Sequence, residues 1–301
     1  MVASEPIELQ LRRCVLPLMA VTGEAKWVGI GTAFVVATVD DGKTALMFTA
    51  AHNLIGATKL DPYRQRGAHA SVLADFAPAE KPTLGSTKMY LLTASGTPAQ
   101  MEIAWWHEDT DVAFLSATLP EDSTDRFDMR LPVDTRPAIP DASTLIAVGF
   151  PQLDGEFAEP PDYDEERFRV TVRTLLDARR GLVVRTLRAD EPGNHTGLGL
   201  LVTCAIDAGM SGGPVIEERD KRLIVRGVSS RSLSTEENAA QGSGDHAFVG
   251  LLLPSLGIRA NELIATTEPH GVIEEPTVLD LIRAGVIEDL GRAHEWVRLG
   301  P

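Results

Sequence analysis

Short runs of apolar and β-branched residues, separated by clusters of Gly, Pro and Asp, recur from Val15 to Leu252. Runs bounded by turn residues are typical of β-strands, and this spacing suits antiparallel barrels. The first set comprises Val15–Val21, Thr32–Val39, Thr44–Thr49, Met89–Thr93, Ile103–Trp106 and Val112–Ala117. The second comprises Thr144–Phe150, Phe168–Leu176, Leu182–Leu187, Leu198–Thr203, Val215–Glu217, Leu223–Ser229 and Ala247–Leu252.

The two sets predict an all-β chain with two antiparallel six-stranded β-barrels. The N-terminal barrel is expected over residues 1–128 and the C-terminal barrel over residues 129–265, with the join near residues 120–140. Residues 266–301 differ in character, because apolar residues recur at helical spacing from Pro276 to Val286. We therefore predict a short helical C-terminal tail.

Three segments of the second set read as turns or loops. Ala178-Arg179-Arg180-Gly181 has the composition of a hairpin turn. The acidic stretch 154–166 and the polar, glycine-rich stretch 232–245 read as surface loops. If the barrels form, both loops border the cleft, where loops can tune specificity or simply face solvent.

The charge balance restricts the partners of the chain. With 43 acidic and 28 basic residues the net charge is −15, which argues against nucleic acid or an anionic membrane as the main partner. No apolar run approaches the ~20 residues of a membrane span. Arg12-Arg13 and the short apolar run after it resemble an export signal weakly, and the first barrel strand is the better interpretation. Cytoplasmic residence is favoured, with secreted or periplasmic residence open.

Cysteine usage is sparse, with only Cys14 and Cys204. A disulfide-stapled secreted domain normally carries more. We interpret both as small buried apolar residues, Cys14 in the first predicted strand and Cys204 at a strand end. A bridge between them stays open at this stage.

A serine between glycines is the strongest chemical signal in the chain. Ser211 lies in Gly209-Met210-Ser211-Gly212-Gly213-Pro214, where glycines allow a sharp turn that aims backbone N–H groups inward. His52 follows an apolar run, and Asp111 directly precedes another. Each alone is explained by a turn or a strand end. Together, in the order His, Asp, Ser, they predict a hydroxyl nucleophile activated by an imidazole that a carboxylate orients.

Three blocks carry a family resemblance: Thr49-Ala50-Ala51-His52, Asp111-Val112-Ala113-Phe114-Leu115, and the segment around Ser211. They resemble the catalytic blocks of the chymotrypsin-like (trypsin-fold) serine proteases. Gly29–Val36 and Ala147–Pro151 resemble two further strands of bacterial members. The resemblance spans residues 12–255 and is closer to glutamyl endopeptidases and high-temperature-requirement proteases than to digestive trypsins. The tail after residue 265 is too short for the PDZ domain of the latter group.

The resemblance implies a serine endopeptidase that cleaves polypeptides through an acyl-enzyme, without cofactor or metal. Ser211 would attack the carbonyl, His52 would take its proton, and Asp111 would orient the imidazole. Asp109 is a rival carboxylate on the same strand face, although the position directly before Val112 favours Asp111. The N–H groups of Gly209 and Ser211 would form the oxyanion hole.

The resemblance also assigns a substrate pocket. Its floor would come from Ala205 and Ile206, and one wall from Val228, Ser229, Ser230 and Arg231. Because Ala205 is not acidic, we expect a small or apolar P1 residue, while Arg231 leaves an acidic P1 open. Met210 replaces the Asp that digestive proteases pair with a freed N-terminal amine, so activation of that kind is not expected. An activating partner stays open.

The same residues are compatible with other functions. A latent or inactive protease-fold module would keep the barrels for binding or regulation. An esterase-type acyl hydrolase could use the same triad, but the strand–turn–helix elbow of the common esterases is absent from the sequence. A metal site at His107, Glu108, Asp109 and Asp111 reads better as an acidic surface turn. The glycines at 29 and 31 do not complete a dinucleotide fingerprint.

Overall fold

The fold is described from a computed structural model of the full chain. The description covers residues 6–21, 27–59, 88–107, 110–151, 153, 175–188, 198–233, 245–258 and 276–297. The predicted loop 154–166 lies outside these residues, as do most of 232–245 and most of the predicted strand Phe168–Leu176.

The first barrel is closed and has six antiparallel strands in the order β1-β2-β3-β6-β5-β4. Its interior is apolar because the strands carry long runs of buried β-branched, aliphatic and aromatic residues. A helix precedes it, and a second helix follows β3. The elements are α1 Ile7–Cys14, β1 Val15–Val21, β2 Trp27–Val39, β3 Thr44–Ala50, α2 Ala51–Lys59, β4 Lys88–Leu92, β5 Pro98–His107 and β6 Val112–Thr118.

The second barrel repeats the architecture, with the closed order β10-β11-β12-β9-β8-β7. Its strands are β7 Thr144–Gly149, β8 Asp177–Leu187, β9 Gly199–Val202, β10 Pro214–Arg219, β11 Arg222–Ser232 and β12 Ala247–Leu251. A short 3-10 helix, Leu253–Gly257, leaves the barrel. The two closed six-stranded antiparallel barrels confirm the predicted all-β fold class.

The linker between the barrels contacts each barrel in turn. Leu131 N–H donates to Val35 O in the first barrel at 2.9 Å. One residue later, Pro132 O accepts from Val225 N–H in the second barrel at 2.9 Å. The change of barrel therefore falls between residues 131 and 132, and the domain limits 128/129 and 265/266 stay predictions.

The C-terminal tail packs on the linker and on the 3-10 helix. Helix α3, Val278–Arg283, starts with a capping box in which Thr277 Oγ1 accepts from Asp280 N–H at 3.2 Å and Asp280 Oδ2 accepts from Thr277 N–H at 3.0 Å. A final turn, α4, covers Ala293–Trp296. The short C-terminal helix confirms the predicted tail, and its apolar residues Val278, Leu279, Leu281 and Ile282 are buried in the core.

A buried ion cluster joins the linker to β10 and β11. Asp134 is fully buried and pairs with Arg136 and Arg226, and with Arg219 at 3.2 Å. Burial raises the pKa of Asp134, but the hydrogen bonds from Arg136 and the charge of Arg226 outweigh it and hold that pKa at about 2. The carboxylate is therefore ionised at neutral pH and balances the buried guanidinium of Arg226.

The hairpin predicted at Ala178–Gly181 is wrong. These residues lie inside β8, which pairs with β7 over its first half and with β9 over its second. Gly181 serves a close approach and not a turn, because a Cβ there would lie 2.8 Å from both N and Cβ of Cys204. The Arg179 side chain forms ion pairs with Asp177 and Asp207. These pairs accommodate a charged residue within the strand.

The placement of Cys14 in the first strand is also wrong, because Cys14 ends α1 and its Sγ donates to Gln10 O at 3.3 Å. Both thiols are free and buried, as the interpretation of two small buried residues expects. Burial raises the pKa of Cys14 to about 12 and that of Cys204 to about 11. Both therefore stay protonated and unreactive at neutral pH.

Candidate active site

His52 and Asp111 meet because β3 and β6 are paired. Ala50, the last residue of β3, lies opposite Val112, the first residue of β6. His52 follows in the first turn of α2, and Asp111 directly precedes β6. Antiparallel pairing therefore brings two residues that are 59 positions apart to the same end of the barrel.

Asp111 accepts three hydrogen bonds from the site. Its Oδ1 accepts from the backbone N–H of His52 at 2.8 Å. Its Oδ2 lies 2.6 Å from His52 Nδ1 and accepts from Ser230 Oγ at 2.5 Å. The Asp111 side chain is 14% exposed and that of His52 is 46% exposed, so the imidazole edge beyond the carboxylate faces solvent. Asp109, the rival carboxylate, lies outside the described residues.

Ser211 lies in a tight turn, residues 207–213, which we call the nucleophile turn. Gly209 and Gly212 have φ of +92° and +88°, values that glycine adopts without steric cost. The turn leads into β10, where Pro214 pairs with Val228 of β11. That register sets Ser211 beside Ser229 and Ser230.

The Ser211 hydroxyl is directed towards β11. Ser211 Oγ donates to Ser230 O at 2.5 Å. Because Ser230 Oγ also donates to Asp111, a hydrogen-bonded chain connects Ser211 through Ser230 and Asp111 to His52. Among the described residues, the Ser211 hydroxyl donates its proton to Ser230 O and not to the imidazole of His52.

Several peptide groups of the nucleophile turn are hydrogen-bonded inside the protein. Met210 O accepts from Ser229 Oγ at 2.7 Å and from Gly213 N–H at 3.0 Å. Met210 N–H donates to Asp207 O, and Gly212 N–H donates to Ser229 O. By contrast, within the part of the chain that the structure describes, the N–H groups of Asp207, Ala208, Gly209 and Ser211 have no acceptor.

Two residues of the first barrel reach this turn, and the sequence patterns predicted neither contact. Thr32 N–H and Asn53 Nδ2 each donate to Ser211 O at 2.8 Å. Thr32 Oγ1 donates to Gly209 O at 2.7 Å. In the sequence, Thr32 is a polar residue within the apolar run of β2, and Asn53 directly follows His52. These positions indicate buried polar side chains but do not identify their hydrogen-bond partners.

The proposed pocket floor is tied to its neighbours from two sides. Ser232 Oγ, on β11, accepts from Ile206 N–H at 2.8 Å and donates to Ile206 O at 3.0 Å. Arg179 Nη1 donates to Ala205 O at 3.4 Å, and Arg179 Nη2 lies 2.5 Å from Asp207 Oδ2. This hydrogen bond from Arg179 lowers the pKa of Asp207.

The predicted wall residues have different environments. Val228 and Ser229 are fully buried, and Ser229 donates its hydroxyl to the nucleophile turn. Ser230 is 1% exposed, and its hydroxyl is used by Asp111. Arg231 is half-buried and lies opposite Phe248 in the register with β12. Of these four, Arg231 has the most accessible side chain.

Among the described residues, no group of three or more metal-ligating side chains lies close enough together to hold an ion. Glu108 and Asp109 of the metal alternative are outside the description. In the same described portion, every helix is too short or too polar to span a bilayer.

A model of the trypsin-like peptidase domain matches residues 31–224. A comparison with curated proteins finds no match. The active form of the Rv3671c protease from M. tuberculosis aligns with 91% of this chain and 88% of its own, at 14% identity and a TM-score of 0.47. The inactive form of that protease aligns with 84% of this chain and 90% of its own, at 14% identity and a TM-score of 0.45.

Proposed function

Because the chain belongs to the trypsin-like peptidase family, we propose that it is a serine endopeptidase that cleaves polypeptides through an acyl-enzyme. Ser211 is the nucleophile, His52 the general base, and Asp111 the carboxylate that orients the imidazole. The observation that carries the proposal is the 2.6 Å contact between His52 Nδ1 and Asp111 Oδ2. This contact leaves the other imidazole nitrogen to act on the serine.

The proton transfers follow from this contact. With Nδ1–H donated to Asp111, His52 Nε2 keeps its lone pair and can accept the Ser211 proton. Ser211 Oγ then bonds to the scissile carbonyl carbon, and the imidazolium returns the proton to the leaving amine as the C–N bond breaks. Water hydrolyses the acyl-enzyme by the same route and regenerates Ser211.

The resting hydroxyl must turn before it reacts. Since Ser211 Oγ donates to Ser230 O, reorientation of the hydroxyl has to release that bond and direct the proton to His52 Nε2. This resting direction also favours a second candidate function, a latent protease-fold module. The labelling experiment below separates the two.

The N–H groups of Gly209 and Ser211 are proposed to stabilise the oxyanion. Support comes from the nucleophile turn, in which the amides of Met210, Gly212 and Gly213 are bonded, whereas those of Gly209 and Ser211, on the two sides of Met210, have no acceptor among the described residues. Unpaired donors fixed before the reaction stabilise developing negative charge without reorganisation.

For the substrate, we propose a small P1 side chain. Support comes from Ser232, whose hydroxyl bonds to both N–H and O of Ile206 and so holds β11 against the proposed pocket floor. A large P1 side chain would have to separate these two segments. The proposed floor residue Ala205 supplies no charge for a basic P1.

The test is labelling of the folded protein with a fluorophosphonate probe, which reacts with activated serines. We expect the wild type to be labelled and Ser211→Ala to be unlabelled, with casein hydrolysis reduced by about 10³-fold or more. Labelling that survives in Ser211→Ala removes the nucleophile assignment. A folded wild type without labelling supports the latent module, and hydrolysis of esters alone supports the esterase.

A further inference from the structure

The carbonyl groups of the nucleophile turn are held from both barrels. Ser229 of β11 contacts Met210 O from within the second barrel. From the first barrel, Thr32 Oγ1 contacts Gly209 O at 2.7 Å, while Thr32 N–H and Asn53 Nδ2 contact Ser211 O at 2.8 Å each. The turn is thus one of the places where the two barrels make polar contacts.

The direction of the Thr32 hydroxyl is determined by a third group. Phe150 N–H donates to Thr32 Oγ1 at 3.1 Å, so the oxygen acts as acceptor there and its single proton is left for Gly209 O. Thr32 is fully buried and Asn53 is 4% exposed. Both contacts are therefore shielded from competition by water.

These contacts lie on the peptides next to the proposed oxyanion donor Ser211 N–H. Thr32 holds the peptide between Gly209 and Met210, and with Asn53 it holds the peptide between Ser211 and Gly212. These two peptides flank the one that carries the Ser211 N–H. A trans peptide fixes its N–H opposite its own C=O, so the contacts to Gly209 O and Ser211 O orient the peptides on both sides of the Ser211 N–H, while Ser229 holds Met210 O of the peptide between them. Fixing both neighbours limits the space in which the central peptide can turn.

The surrounding space is fitted to the Asn53 amide. A Cβ on Gly31 would lie 2.2 Å from Asn53 Nδ2, and a Cβ on Gly212 would lie 2.7 Å from the same atom. Thr49 Oγ1 accepts from Asn53 Nδ2 at 3.2 Å and donates to Thr32 O at 2.6 Å. Two glycines and one threonine therefore keep the amide aimed at Ser211 O.

We propose that Thr32 and Asn53, as positioning residues of the first barrel, hold the nucleophile turn in its working geometry. We call this pair the Thr32–Asn53 clamp. It rests on the proposed function, since it acts on the oxyanion donors of that reaction. Met210 is fully buried and cannot form an ion pair, so neutral hydrogen bonds from the other barrel order the turn in its place.

The first test replaces the hydroxyl by a methyl group in Thr32→Val. We expect kcat to fall about 10- to 100-fold with KM within about twofold, because misplacement of the donors affects the transition state most. The rate constant of fluorophosphonate labelling falls by the same factor. Thr32→Ser keeps the hydroxyl, so kcat and the labelling rate constant should stay close to the wild-type values. Asn53→Asp removes the donor to Ser211 O, so it should lower kcat and the labelling rate constant.

The matched control is Thr44→Val. Thr44 is buried at the far end of β3, and its hydroxyl lies 3.0 Å from that of Thr118. This variant loses one part-buried hydrogen bond of the same barrel without touching the turn, so Tm falls while kcat is unchanged. If Thr32→Val lowers Tm as Thr44→Val does and leaves kcat and labelling at wild-type values, the clamp is wrong.

Failure of the clamp is distinguishable from failure of the function. Ser211-dependent labelling of the wild type is measured first, and its absence defeats the proposed function alone. Amide hydrogen exchange then tests the clamp without activity. We expect faster exchange at Met210, Gly212 and Gly213 in Thr32→Val and Asn53→Asp than in Thr44→Val, and equal exchange in all three variants overturns the clamp.

Discussion

Asp111 has an unusual backbone conformation for a residue with a side chain, with φ of +55°. Asp and Asn tolerate this left-handed region better than most residues, because their short polar side chains bond locally. The conformation directs the carboxylate to three donors, the His52 N–H, His52 Nδ1 and Ser230 Oγ. Few other side chains could meet both demands.

Asp111→Asn keeps the size of the side chain and tolerates the same backbone. An amide cannot accept from all three donors, and it leaves the imidazole in the wrong tautomer. We expect kcat to fall about 10³- to 10⁴-fold with little change in Tm, measured by peptide hydrolysis and thermal unfolding. Asp109→Asn is the matched control and keeps wild-type activity. A loss in Asp109→Asn instead would assign the role to the rival carboxylate.

The residues differ in how far sequence could locate them. His52, Asp111 and Ser211 stand beside strand ends, so local patterns were enough to select them as candidates. Thr32 and Asn53 were not found, because their partners are 177 and 158 residues away and pair only across the barrels. A polar residue within an apolar run predicts a buried hydrogen bond, but it does not identify the residue at the other end.

At the scale of elements, the barrels were predictable and one strand was misread. Apolar runs with turn residues between them fix most strands, since a closed barrel must bury their side chains. Ala178–Gly181 has the composition of a turn, yet it forms part of β8. The glycine is needed there because Cys204 packs against Gly181 too closely to leave room for a Cβ. Helix α2 was also unforeseen, because it begins within the catalytic block and not at a recognisable cap.

The hydrogen bonds between Ser232 of β11 and Ile206, in the segment after β9, lead to a prediction on specificity. Ser232→Gly removes both hydrogen bonds to Ile206 and should let the proposed pocket widen. We expect kcat/KM for peptides with Phe at P1 to rise about tenfold relative to Ala at P1. Ser95→Gly, which removes a serine hydroxyl bonded to Asp125 in the other barrel, leaves the ratio unchanged. An unchanged ratio in Ser232→Gly would contradict the small P1 proposal.

At the scale of the whole molecule, the Asp134 cluster joins the linker, the second barrel and the tail. Asp289 of the tail accepts from Thr135 N–H at 3.1 Å and from Thr135 Oγ1 at 2.8 Å, next to Asp134. Leu290 N–H donates to Val133 O at 2.8 Å. One carboxylate thus lies where three distant parts of the chain meet.

This cluster predicts a loss of stability in acid. Because folding depresses the pKa of Asp134 from 3.8 to about 2, its contribution is present above pH 4 and is lost as the pH falls towards 2. The shift corresponds to about 2 kcal/mol. Urea unfolding at pH 7, 4 and 2.5 should show this loss in the wild type.

Asp134→Asn provides the comparison for that pH series. It leaves the buried Arg226 guanidinium without its main counter-charge, so the free energy of unfolding at pH 7 should fall by about 3 kcal/mol. The variant should also lose less stability between pH 4 and 2.5 than the wild type does. The same pH dependence in both proteins would show that Asp134 is not the group responsible.

The contacts of Thr32 and Asn53 with the turn also bear on descent and recombination. If the first barrel were exchanged for that of a relative, the relative's residues would replace Thr32 and Asn53. The nucleophile turn that they contact would still come from the second barrel of this chain. Chimeras of this fold should therefore fold more often than they work. Compensating changes should gather at this contact between the barrels and not at the three proposed catalytic residues.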